Sequence, residues 1–265
     1  LKLLTFTYTK LKIMKTIFYG LLLMPLLVVS QNSAEYMVVE NALIVPNVAK
    51  VSELDAGLAA HNKKYHKEGA YAANIFFIAN GPNAGSYIWS MGPLPWSAMD
   101  ERPELQGHDE DWNKNVLPYM MPQGEQHYWK FNSELSNFPV DFTMNKLLVD
   151  YYDIKAFQMD KAMALMEKIQ KVMMDKFPNE TYGIYTNELP STKEGKDLAL
   201  VSFFQKSSWM GDDWKFADKY NEVHGAGSFA TFLKDWEAVS EGKQSELWNF
   251  KPALSGNSGE VKAVK

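Results

Sequence analysis

The sequence predicts an α+β fold in which one order of elements, β-α-β-β-α-β, is used twice. Three observations lead there. Short runs rich in β-branched and aromatic residues alternate with longer segments whose apolar residues recur every three or four positions. The alternation runs in the same order in both halves. Parts of the two halves also match at one offset. Tyr128-Trp129-Lys130-Phe131-Asn132-Ser133-Glu134-Leu135-Ser136 reads against Leu247-Trp248-Asn249-Phe250-Lys251-Pro252-Ala253-Leu254-Ser255, with Trp, Phe, Leu and Ser coinciding 119 positions apart. The same offset pairs Met91-Gly92 with Met210-Gly211. An offset of 118 pairs Trp96 with Trp214, Asp100 with Asp218 and Gly107 with Gly225.

In the first half, residues 36–45 are rich in β-formers and read as a strand. Pro46-Asn47 then opens a helix, with Val48, Val51, Leu54, Leu58 and Tyr65 on one face, Asn47 as its N-cap and Gly69 as its stop. Residues 74–79 and 86–90 read as two strands joined by the turn 80–85, which is rich in Gly, Asn and Pro. A helical region broken near Gly107 follows, its second part carrying Trp112, Val116 and Met120 at intervals of four. Residues 127–131 are the last strand of this half.

The second half runs in the same order. Residues 146–155 read as a strand. Residues 157–177 are the clearest helix, with Ala162, Met166, Ile169 and Met173 on one face and Pro178 just past its end. Residues 182–186 and 198–204 are strands, with a longer connection between them than in the first half. Residues 213–224 are helical, Gly225-Ala226-Gly227 interrupts, and Ser228 caps a segment with Phe229, Phe232, Leu233 and Trp236 on its face. Residues 246–250 are the final strand. The organisation expected is a leader at 1–31, one repeat at 32–140, a second at 141–255 and a loose tail at 256–265.

This order is the ferredoxin-like one, a four-stranded antiparallel sheet with helices on one face. The bare face of one such sheet needs a partner, and two halves in one chain can supply each other. The chain resembles a tandem member of the dimeric α+β barrel superfamily, which includes antibiotic-biosynthesis monooxygenase-like, stress-responsive barrel and NIPSNAP-like proteins. The resemblance spans residues 35–255 and rests on element order and duplication, not on a signature motif. It implies a pseudo-dimeric barrel that needs no second copy, and a small-molecule site with oxygenase-like or haem-related chemistry. Two ferredoxin-like domains side by side, without closure, are the rival arrangement.

The leader has its own signature. Lys10, Lys12 and Lys15 precede an apolar run at 17–29, and small or polar residues follow at 30–34. That is the pattern of a signal peptide cleaved near Ser30–Asn32, with Met14 as the expected start and residues 1–13 upstream of it. The run is shorter than the roughly 20 apolar residues of a spanning helix. The expectation is a periplasmic or extracellular protein, off the membrane after cleavage. With no cysteine it has no disulfide to lean on, and thiolate chemistry, Fe–S clusters and Cys-based zinc sites are excluded. Residues 1–31 hold four lysines and no acid, so the rest carries 23 basic against 32 acidic groups. With Arg102 as its one arginine and no basic cluster, it does not read as a nucleic-acid binder.

Chemistry-bearing motifs are sparse. There is no Gly-x-Gly-x-x-Gly, P-loop, Gly-x-Ser-x-Gly or His-Glu-x-x-His. His61 and His66, five apart on one helix, point about 140° apart and read as surface or structural residues, with no shared ligand. His108 heads His-Asp-Glu-Asp, which reads as a charged first helical turn, so no metal site is assigned. His224 sits near a helix C-terminus, where it can bond free carbonyls. His127 shares a strand face with Trp129 and Phe131 and is either a core histidine or the candidate catalytic base or ligand.

Eight tryptophans are the remaining signal. They read as a packing signature of both halves or as walls of an aromatic pocket, with Trp89, Trp129, Phe131, Tyr185, Trp209 and Trp248 as candidate ligand contacts. The function expected is binding of a small, largely apolar or aromatic molecule, with cofactor and catalysis unassigned. A partner-binding scaffold is one alternative. Polysaccharide binding on exposed Trp platforms is another.

Overall fold

The computed structural model describes residues 35–191 and 193–264; the leader and signal peptide expected at 1–31 lie outside them. Among the described residues no helix is long and apolar enough to cross a membrane. Strand β1 (Met37–Ile44) leads into helix α1 (Val51–Tyr65), then β2 (Ala73–Ile78) and β3 (Tyr87–Pro95). Short helix α2 (Ser97–Asp100) and α3 (His108–Asn115) precede β4 (Gln126–Phe131). After the two-residue strand β5 (Phe142–Thr143) come β6 (Lys146–Ile154), α4 (Met159–Lys176), β7 (Thr181–Asn187) and β8 (Leu198–Phe204). Helices α5 (Phe216–His224) and α6 (Ser228–Val239), β9 (Ser240–Phe250) and β10 (Glu260–Val261) complete the chain.

Eight strands close a barrel in the order β1-β3-β2-β9-β6-β8-β7-β4. Each half contributes the same arrangement, β4-β1-β3-β2 and β9-β6-β8-β7, and every pairing is antiparallel. The seams are β2 with β9 and β4 with β7. Closure leaves the barrel no open edge, which is how two sheets avoid exposed backbone donors and acceptors. The side-by-side arrangement is thereby excluded.

Alternation along the strands sorts residues into three cores. Leu43, Phe76, Ile78, Ile88, Trp129, Leu147, Val149, Tyr151, Val201, Trp248 and Phe250 point into the barrel. Leu54, Leu58, Ile75, Trp89, Met91 and Val116 pack the first sheet against its helices. Leu165, Met166, Val172, Ile184, Leu198, Tyr220 and Phe232 do the same for the second. Both faces of every sheet are therefore buried, one by the lumen and one by helices.

Local signals were honoured with small shifts. Lys50, not Asn47, precedes the first turn of α1, and Asn47 Oδ1 accepts from the Ala49 N–H in an Asx turn instead. Gly107 and Gly227 each precede a helix with φ of 79° and 76°, so Gly227 rather than Gly225 is the counterpart of Gly107. Met91 lies in β3 but Met210 lies in the turn after β8, so that sequence match is not a structural one. The residues expected as a loose tail are tied down. Val261 and Glu260 pair with Phe142 and Thr143, and Asp141 takes the Lys262 ammonium and the Ala263 N–H.

Phe157, between β6 and α4, is fully exposed with φ of 64°. A left-handed backbone costs a residue with a Cβ about 1–2 kcal/mol, and here no burial offsets it. Phe157→Gly is expected to stabilise the protein by about 1 kcal/mol. A urea midpoint that falls in this variant would count against the assignment.

Candidate functional site

Because all eight strands are antiparallel, one barrel mouth holds the starts of β1, β2, β6 and β7, and the other holds their ends. The second mouth is sealed by the β7–β8 connection. Lys196, buried, pairs with Glu125 and lies over the Tyr151 ring, 5.4 Å from its centre. His127 Nε2 meets Glu194 Oε2 at 2.9 Å. The β2–β3 turn performs the same task across the barrel, where Asn83 Nδ2 donates to buried Glu246 at 2.9 Å. His127 and Glu246 are separated by the repeat offset, each two residues before a lumen tryptophan. His127 thus occupies a sealing position, with its ring centre 5.9 Å from that of Trp129.

Below this plug lies a cavity of about 430 Å³. Its walls are mostly apolar, including Phe76, Trp129, Phe131, Val149, Tyr185 and Trp248. Asn257, Val261 and Val264 of the ordered tail cover its outer end. Burial pushes the Tyr185 phenol well above its ordinary range, so it stays protonated and neutral.

Three polar side chains on the barrel strands themselves break the apolar wall. Ser90 on β3 is the cross-strand neighbour of Asn41 on β1 and of Asn74 on β2, so the three form one row. All three line the cavity. The Oδ1 atoms of Asn41 and Asn74 are buried without a hydrogen-bond partner. Such a group costs about 1–3 kcal/mol relative to a bonded one. Two such oxygens, on β1 and β2 with β3 between them, mark a place where a donor belongs.

The structure separates the residues singled out in the sequence. Trp129, Phe131, Tyr185 and Trp248 line this cavity. Trp89 does not: it faces the helices and donates Nε1–H to Asn62 Oδ1 at 3.1 Å. Trp209 does not either. It stacks on Phe204 and lines a second space of about 390 Å³ between the second sheet and α4. None of the eight tryptophans is exposed, which removes the platforms on which polysaccharide binding rested.

His224 Nε2 sits 2.9 Å from the Lys168 carbonyl of a neighbouring helix, not from its own. His61, His66 and His108 were expected apart and come together beneath the first sheet, one imidazole nitrogen of each within 4.8 Å of the others. The 140° separation failed because α1 ends at Tyr65 and His66 already follows the turn beyond it. Burial pushes the His66 pKa down to about 4 and lowers that of His61 as well.

Haem iron needs an axial His, Cys, Met or Tyr, most often His. Neither cavity lining contains a histidine; the lumen offers Met144 and two phenols, Tyr151 and Tyr185, that burial keeps protonated. The three clustered rings leave no room for a macrocycle between them, so the usual histidine ligand of haem is supplied at neither cavity.

No family model and no curated protein matches the sequence. Solved structures do match its fold. A candidate monooxygenase from Fusobacterium nucleatum superposes with a TM-score of 0.54 at 11% identity, over 88% of this chain and 99% of that one. An anthrone oxidase-like protein gives 0.52 at 10% identity, over 83% and 92%. Chlorite dismutase from Candidatus Nitrospira defluvii gives 0.51 at 8% identity, over 83% and 93%. At these identities the likeness is one of fold, and the chain carries the dimeric α+β barrel fold closed within a single polypeptide.

Proposed function

We propose that the barrel binds one small, largely apolar molecule bearing a hydroxyl or N–H group. The observation that carries this is the pair of orphaned amide oxygens of Asn41 and Asn74, two side chains that line a largely apolar cavity of about 430 Å³. That volume lies in the range of small-molecule sites, about 300–1,000 Å³, which combine apolar walls with a few placed polar groups. Aromatic walls at Trp129 and Trp248 favour a flat ligand. The charged groups of the lining, Glu260 and Lys262 on the tail, are paired with each other, and binding is the activity proposed for the site.

The test uses 2-naphthol and naphthalene as probes, read by quenching of tryptophan fluorescence. Both are expected to bind saturably. Ala199→Trp, which fills the lumen, is expected to weaken both by at least about tenfold. Asn74→Leu is expected to weaken 2-naphthol by about five- to tenfold, the worth of one hydrogen bond, and to spare naphthalene. Equal binding to wild type and Ala199→Trp would sink the reading.

A further inference from the structure

The three histidines under the first sheet have a feature that packing alone does not explain. Each ring has its Nδ1 engaged by an acceptor. His61 Nδ1 lies 2.8 Å from Asp111 Oδ2, His66 Nδ1 lies 2.9 Å from the Tyr71 carbonyl, and His108 Nδ1 lies 2.8 Å from Asp109 Oδ1. A carbonyl or carboxylate only accepts, so each Nδ1 carries the hydrogen. In a neutral ring the lone pair then sits on Nε2.

The three rings come together, with one imidazole nitrogen of each within 4.8 Å of the others. His66 Nε2 and His108 Nε2 are 3.1 Å apart, and the ring centres form a triangle of 4.8, 5.2 and 5.3 Å. His61 is fully buried and its Nε2 has no hydrogen-bond partner. A proton between His66 and His108 would satisfy that pair and still leave His61 with nothing. A cation serves all three.

We propose that His61, His66 and His108 are Nε2 ligands of a divalent first-row transition-metal ion of the zinc type. Imidazole nitrogens sit about 2.0–2.1 Å from zinc, which places two of them about 3.3 Å apart in a tetrahedral site. The observed spacing is 3.1 Å for one pair and within 4.8 Å for all, so closing on an ion moves the widest pair by at most about 1.5 Å. Imidazole ligands suit zinc, copper, nickel and iron, and exclude the oxygen-seeking calcium and magnesium.

The surroundings are those of a built site. Metal-bound histidines donate their other N–H to a carboxylate or carbonyl, which fixes ring and tautomer, and all three do so here. Asp111 is itself held, since Asn115 Nδ2 donates to its second oxygen at 2.8 Å. Trp112 and Trp89 close edge-on against His61 and His66 and keep water from their rings. The Tyr65 hydroxyl is buried without a partner, its ring 5.0 Å from His61 and 5.1 Å from His108. It is the group on hand to bond whatever fills the fourth position. The site joins the end of α1 to the start of α3 and is separate from the barrel lumen.

The purified, tag-free protein is stripped with a chelator and titrated with Co²⁺, followed by visible d–d absorption, and with Zn²⁺ by calorimetry. The expected result is uptake of about one ion per chain, with a rise in unfolding temperature. His108 is half-buried at the head of its helix, so His108→Ala keeps the fold, as circular dichroism will show. It is expected to lose about 100-fold in affinity. Asp111→Asn, which keeps the ligands, is expected to lose about 10- to 100-fold. No uptake by the wild type would overturn the assignment, and so would uptake unchanged in His108→Ala.

Discussion

Trp248→Ala is expected to destabilise the protein by about 4 kcal/mol, within the 3–5 kcal/mol of large aromatic truncations. Trp248 is 4% exposed, and its ring packs in the lumen against Phe76, 5.7 Å between centres. Truncation extends the existing cavity, so little of the lost contact can be recovered by collapse. A second cost comes from its neighbour. Trp248 Nε1–H donates to Glu246 Oε2 at 2.8 Å, and Glu246 is 1% exposed. The other Glu246 oxygen is served by Asn83 and Gln244 at 2.9 and 3.1 Å. Without the indole one oxygen of a buried carboxylate loses its donor. Trp248→Phe separates the two costs, because it keeps most of the ring and removes only the hydrogen bond. It is expected to cost about 2 kcal/mol, the range for a bond to a charged group. Urea unfolding reads both; a Trp248→Phe midpoint equal to wild type would mean that Glu246 does not depend on the indole.

The match between the segments carrying Trp129 and Trp248 was legible because both strands present the same alternation to the lumen wall. The helices were legible from their 3.6-residue spacing, α4 most of all. Which face of a strand turned inward was not legible. In a barrel wrapped by helices both faces are apolar, so 86–90 announces a strand without saying that Ile88 points to the lumen and Trp89 away from it. The row Asn41, Ser90, Asn74 depends on the register of three strands, two of which are far apart in sequence. The metal cluster was missed for a simpler reason. The angular rule for His61 and His66 holds only while the helix lasts, and α1 stops at Tyr65, four residues before Gly69, where the sequence marks its end. His108 joins them only through the packing of α3 on α1.

That packing makes Gly57→Ala the second large effect, and the sign of the change is the test. Inside a helix, alanine is favoured over glycine by about 1 kcal/mol. Propensity alone therefore predicts a more stable protein. Gly57 sits where α1 meets the end of α3, and a Cβ there would lie 1.9 Å from the Asn115 carbonyl oxygen and 2.9 Å from its carbon. Both are backbone atoms, so no rotamer change relieves the clash. The helices must part by about 1 Å. Leu54, Leu58 and Val116, all buried at 0% exposure, would lose contact along the seam. Overpacking of this kind costs about 1–3 kcal/mol and more where backbone must move, so a net loss of about 3 kcal/mol is expected. The displacement also carries Asp111 away from His61, and His108 away from both its companions. Gly57→Ala should therefore lower the urea midpoint and weaken Co²⁺ uptake together. A stabilised variant would mean that the helices stand farther apart than the 1.9 Å approach requires, and the spacing of the three imidazoles would have to be reconsidered with it.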